Sequence, residues 1–261
     1  MMASIDHIIR LAESHDASDA DTLSMLLCEV AQDERQADAI CKGRGLLVLV
    51  DLARAHLQPL SRQLLICQTI ACLSKKESHH GYLFQQDILT ILFHYLPTED
   101  QVDVELASIR LRAEKQRLHS KNHVSQNDIH IIHESDHVIE AVLAALTQLA
   151  KRDDVCKVIA NVVLKRVVQF LHYERIGVQV NAAALLAALC RVEALPAEII
   201  KLEALPALFQ LRESSTDVNV KNNARYALNK LGYGDRDPTA EYLTAVGELL
   251  NMGYTRSGID A

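Results

Sequence analysis

Tryptophan is absent from this chain of 261 residues, and phenylalanine (4), glycine (9) and proline (5) are scarce. So few turn-forming residues argue against an all-β chain, whose strands are punctuated by Gly and Pro at short intervals. No apolar stretch approaches the ~20 residues needed to span a bilayer. The opening Met1-Met2-Ala3-Ser4-Ile5-Asp6-His7 lacks the basic-then-apolar order of a signal peptide. No C-x-x-C pair occurs among Cys28, Cys41, Cys67, Cys72, Cys156 and Cys190. A thiolate zinc site or thioredoxin-like motif is therefore not indicated. Set in apolar segments, these cysteines read as buried small hydrophobes of a reducing compartment. The expected location is the cytosol, with the nucleus as a second compartment. Net charge is −7. A general nucleic-acid binder would need a basic stripe to neutralise phosphates. Gly43-Arg44-Gly45 is too short for a phosphate loop. No cofactor is implied, no membrane contact is indicated, and a small-molecule ligand is not expected.

What the chain does have is Leu and Ala in helical register, repeated about every 42 residues. In Val220–Leu231 the apolar positions are 220, 224, 227, 228 and 231. The same places hold Val178, Ala182, Leu185, Leu186 and Leu189, and then Val138, Val142, Ala145, Leu146 and Leu149. Two earlier copies carry Ile66, Thr69, Ile70 and Leu73, and Leu23, Leu26, Leu27 and Val30. A second series keeps step, from Ile5, Ile8 and Ile9 through Leu46, Leu49 and Val50 to Leu205, Leu208 and Phe209. One spacing is 76 rather than about 42, which locates a single insertion of roughly 34 residues at about 98–135. Units of this length bury their apolar faces only against neighbours, so they predict one elongated helical stack.

Ala204–Leu211 and Val220–Gly232 resemble the second and third helices of the armadillo repeat family; HEAT repeats, with two helices per unit, are the close alternative. The resemblance covers roughly 4–96 and 136–250. It implies an all-α, right-handed α–α superhelix of about five repeats over 1–233, with 234–261 as a C-terminal capping helix and tail. In the family, function lies on the concave face lined by third helices, where import and catenin-like members place a Trp and an Asn. Here the Trp place holds Met25, Gln68, Ala144, Ala184 and Tyr226, and the Asn place Glu29, Cys72, Gln148, Ala188 and Lys230. The Trp–Asn ladder is missing, so this is not a nuclear-signal receptor. Gln68, Gln148, Tyr226 and Lys230 are the candidate partner contacts, since aromatic and long polar side chains serve interfaces well. The small residues at 144, 184 and 188 read as close helix packing or as a shallow slot for a partner helix.

The first half of the insertion is highly charged, with Arg110, Arg112, Lys115, Arg117 and Lys121 as a basic cluster. Val102, Val104, Leu106, Ile109, Leu111 and Leu118 form a weak apolar stripe. This is a solvated helix or loop, or an arm beside the groove with Arg110, Arg112 and Lys115 meeting an acidic partner. Its end spells His133-Glu134-Ser135-Asp136-His137, literally H-E-x-x-H. On a helix His133 and His137 share one face and can hold zinc, with Glu134 activating water and His130 a third ligand. Against that, Ser135 or Asp136 makes a natural N-cap at a loop-to-helix junction. Finally, Leu249–Arg256 is similar to the start of a ubiquitin-associated domain, but the sequence given stops at Ala261, and a capping helix over 239–251 ending at Gly253 is the simpler expectation.

The combined expectation is a non-enzymatic scaffold that takes a partner peptide or helix on its concave face. The alternatives are a metal-dependent hydrolase using His133, Glu134 and His137, or a regulatory repeat fragment of a larger protein.

Overall fold

The computed structural model describes residues 5–13, 20–55, 58–119 and 134–234. The expected capping helix, the ubiquitin-associated-like motif, His130 and His133 fall outside these residues. The described part is helical, with no strand among the described residues.

Third helices form one layer. They are α2 (Ala20–Val30), α5 (Leu60–Leu73), α9 (Glu134–Leu149), α11 (Ile176–Leu189) and α14 (Val218–Lys230), each packed against the next. Second helices form the other layer: α1 (Ile5–Glu13), α4 (Gly45–Arg54), α7 (Ile88–Tyr95), the end of α10 (Asp153–Phe170) and α13 (Ala204–Ser214). Short first helices α3 (Glu34–Lys42), α6 (His80–Gln85) and α12 (Leu195–Lys201) link the layers. The insertion contributes α8 (Glu99–His119), yet α5 still packs directly on α9.

The apolar register explains this ladder. Val220, Ala224, Ala227 and Leu228 are fully buried, as are Val178, Ala182, Leu185, Leu186 and Leu189. Ile66, Ile70, Leu73, Val142, Ala145 and Leu146 are equally closed off. Thr69 is the polar exception, and its hydroxyl donates to the Leu65 carbonyl at 2.8 Å. Each fully buried Leu or Ile adds about 1.5–3 kcal/mol, and it does so only because a neighbouring repeat covers it.

Local chemistry sets the ends. Asp33 and Asp217 cap α3 and α14 by accepting from the second and third backbone amides beyond them. The turns into α7 and α13 each place a non-glycine residue in the left-handed region, Asp87 at φ 58° and Glu203 at φ 59°. Repeat four differs from the armadillo pattern. Its first and second helices fuse into the continuous α10, because Cys156 to Leu164 contains no Gly or Pro to interrupt it. The expected N-cap at Ser135 or Asp136 is also corrected, since α9 already begins at Glu134. Ser135 and Asp136 lie in its first turn, where an acidic side chain favours the helix dipole.

One polar cluster holds repeats two and three together. The buried ring of His79 meets the Leu73 carbonyl through Nδ1 at 2.9 Å and Asp38 through Nε2 at 2.6 Å. Both partners are oxygen acceptors, one on the backbone and one on α3. Lys76 reaches the same Asp38 oxygen at 2.7 Å. Hydrogen bonds from Lys76 and then His79 hold the Asp38 carboxyl well below the usual carboxylate range.

Two outcomes follow for stability. Glu203→Gly removes a left-handed Cβ penalty of about 1 kcal/mol and should raise the urea midpoint without changing the slope. Asp38 has a lowered folded-state pKa, so its contribution is full above the unfolded value near ~3.9 and fades as pH falls below that. Asp38→Asn should therefore unfold at lower urea than the parent at pH 7, and the difference should shrink in titrations carried below about pH 4.

Candidate functional site

The outward face of the third-helix ladder carries the side chains singled out from the sequence. Tyr226 (53% exposed) and Met25 (58%) stand at its two ends. Gln68 and Lys230 are exposed, and Gln148, Cys72, Ala144, Ala184 and Ala188 are half-buried between them. The Lys230 ammonium lies 5.4 Å from the centroid of the Tyr226 ring, one helical turn away. Gln68 Oε1 accepts from the Cys28 thiol at 3.7 Å. Burial raises the Cys28 thiol and pushes Cys190 up to about 12, so neither supplies a thiolate near neutrality.

The ladder's two edges differ in chemistry. Along the edge formed by helix starts, Arg175 donates from Nε to Glu140 at 2.9 Å and from Nη2 to His137 Nδ1 at 2.6 Å. A Cβ at Gly177 would stand 2.3 Å from the Glu140 carboxylate, so a larger residue there would oblige that side chain to move. His137 thus turns its Nδ1 to a guanidinium, a cation in the place a metal would take. Among the described residues no three potential metal ligands converge. Along the edge formed by helix ends, Arg191 donates to the Ala150 carbonyl at 2.7 Å and lies 3.7 Å from Asp153.

The basic stretch of the insertion lies elsewhere. Val102 and Leu106 are buried and Ile109 packs on the core, whereas Val104 and Leu111 stay exposed. Three contacts fasten α8 and the turn before it to α10: Lys165 to Glu99 at 2.6 Å, Gln169 to Asp103 at 2.6 Å and Arg166 to the Pro97 carbonyl at 3.0 Å. Arg110 is exposed on this docked helix. Burial and then the Arg110 charge lower the His172 pKa. Arg112 and Lys115 follow on α8, with side chains outside the described residues. The structure therefore sets Arg110 against the second-helix layer, apart from the row Gln68, Gln148, Tyr226 and Lys230.

A cleft of about 920 Å³ opens where the insertion leaves and re-enters the stack. Its walls include Gln58, His94, Tyr95, Glu105, Asp136 and Tyr173. The Tyr95 hydroxyl donates to the Ala53 carbonyl at 2.9 Å, with Gln58 Oε1 also within 3.0 Å. Burial pushes the Tyr95 and Tyr173 phenols well up, and the Asp136 and Glu105 carboxylates add to the rise at Tyr173. The anomalous repeat spacing marked this location in the sequence; nothing in the spacing marked the tyrosines.

No protein-family profile matches the chain, and no curated protein matches it. Solved structures do. An engineered protein aligns with 86% of this chain and 77% of its own length at 19% identity and TM-score 0.63. A second engineered protein aligns with 88% of this chain and 48% of its own at 18% identity and TM-score 0.65. A designed armadillo repeat protein, in complex with the peptide (KR)4, aligns over 87% and 81% at 16% identity and TM-score 0.62. At these identities the likeness is one of fold, and it agrees with the ladder of third helices: the chain is an armadillo-type helical solenoid.

Proposed function

We propose that this chain is a non-enzymatic binding scaffold whose third-helix face receives a peptide or helix of a protein partner. The observation that carries the reading is the unbroken ladder from α2 to α14, which keeps one face continuous across the insertion. A preformed face spares its partner the cost of ordering the receptor. Small side chains at Ala144, Ala184 and Ala188 let a chain approach the helices closely, and exposed Gln68, Tyr226 and Lys230 offer contacts around them. The designed relative bound to (KR)4 shows that a solenoid of this shape can hold a peptide. The six free cysteines fit work in a reducing compartment, the cytosol or nucleus. In this reading Arg110, Arg112 and Lys115 form a separate basic stretch on α8.

Ala184→Arg, and independently Tyr226→Ala with Lys230→Ala, test the reading. Each variant should keep the parent's helical signal and thermal midpoint while losing at least tenfold in recovery of a partner captured by the parent. Undiminished recovery of the same proteins by both variants would move the binding surface away from this face.

A further inference from the structure

We propose that the third-helix face selects an acidic peptide, held by one cation per repeat; the inference rests on the scaffold reading above. Three of the four cations occupy one register. Lys75, Lys151 and Arg191 each stand two residues beyond the last residue of α5, α9 and α11. The fifth repeat has Tyr233 at the matching repeat position and supplies Lys230 instead, earlier in the register in the last turn of α14. All four are exposed, so successive repeats two to five line one edge of the face with positive charge.

That row runs against the character of the whole chain, whose net charge is −7. A cation after a helix end is favoured by the helix dipole, which accounts for each residue singly. It does not consume their charge. The ammonium groups of Lys75 and Lys151 have no hydrogen-bond or ion-pair partner among the described residues, whereas neighbouring Lys76 and Arg152 are paired with Asp38 and Asp154. Arg191 is oriented by the Ala150 carbonyl and only loosely approached by Asp153 at 3.7 Å. Lys230 is oriented by the Tyr226 ring. The first repeat breaks the pattern with Gln32 at the row position and an exposed Glu29 on the face. An acidic ligand therefore seats on repeats two to five and is repelled from the first.

Spacing refines the ligand. Helices in contact stand about 8–10 Å apart, and a polyproline II chain, with about three residues per turn, rises about 3.1 Å per residue. Carboxylates on about every third residue of such a chain share one side and meet successive cations, with small or apolar residues between them over Ala144, Ala184 and Ala188. Gln68 and Gln148 can serve the peptide backbone, being amides with both donors and acceptors. This chemistry is opposite in sign to the (KR)4 peptide of the designed relative.

The test selects randomised peptides of about ten residues on the whole chain and measures the selected ones by fluorescence anisotropy. Enrichment of Asp and Glu at intervals of three is expected, with affinity falling as salt rises. Lys75→Glu with Lys151→Glu should weaken binding at least tenfold with an unchanged thermal midpoint, since both side chains are exposed. Neutral or basic peptides that depend on Ala184 and Tyr226 but not on the two lysines would overturn the acidic assignment and leave the scaffold reading standing. Peptides that bind Ala184→Arg and Tyr226→Ala as well as the parent, or a selection that yields none, would overturn both. A labelled single-stranded oligonucleotide that binds more tightly than the selected peptides, and is lost on the double reversal, would overturn the peptide assignment in favour of nucleic acid.

Discussion

Everything in this protein depends on one constraint: a third helix has too much apolar surface to stand alone. Leu185, Leu186 and Leu189 of α11 are closed off because α9 and α14 flank that helix and α10 backs it. The same holds for α5 between α2 and α9. Removing any inner repeat would expose two such faces. Side-by-side stacking of the third helices is the arrangement that covers all of them, and it leaves their remaining face open to a partner.

The joints between repeats show how the chain meets that demand with different local means. Asp33 and Asp217 supply side-chain caps, while Asp87 and Glu203 accept left-handed backbone to turn between helices. Repeat four omits the turn and runs straight through as α10. That straight helix offers the surface on which α8 docks, through Lys165, Arg166 and Gln169. The insertion is thereby tied to the second-helix layer, and the third-helix face keeps its continuity.

Charge follows the same division. Cations whose carboxylate lies in a neighbouring helix or loop are consumed in holding repeats together, as at Lys76 with Asp38 and Arg175 with Glu140. Cations that stand just past the helix ends, such as Lys75 and Lys151, remain open to solvent. An acidic chain can therefore carry a local positive edge, because what a partner meets is the unpaired charge within about a Debye length, near 10 Å at ordinary salt.

Much of this was legible in the residues themselves. The register of Val220, Ala224, Ala227 and Leu228 and its earlier copies fixed helix, layer and buried side, because helical periodicity is a local property that 3.6 residues per turn writes into spacing. The anomalous interval also marked where the repeat is broken. Other features were not legible. That α5 and α9 touch across the insertion, that Val102 and Leu106 turn inward while Val104 faces solvent, and that His137 meets Arg175 all rest on contacts between distant segments. The same is true of the cleft around Tyr95 and of which lysines find a carboxylate. The repeat and its buried stripe are written in the order of residues along each helix; which polar side chains converge is set when the helices pack, since pairing across them does not depend on the order of residues within one.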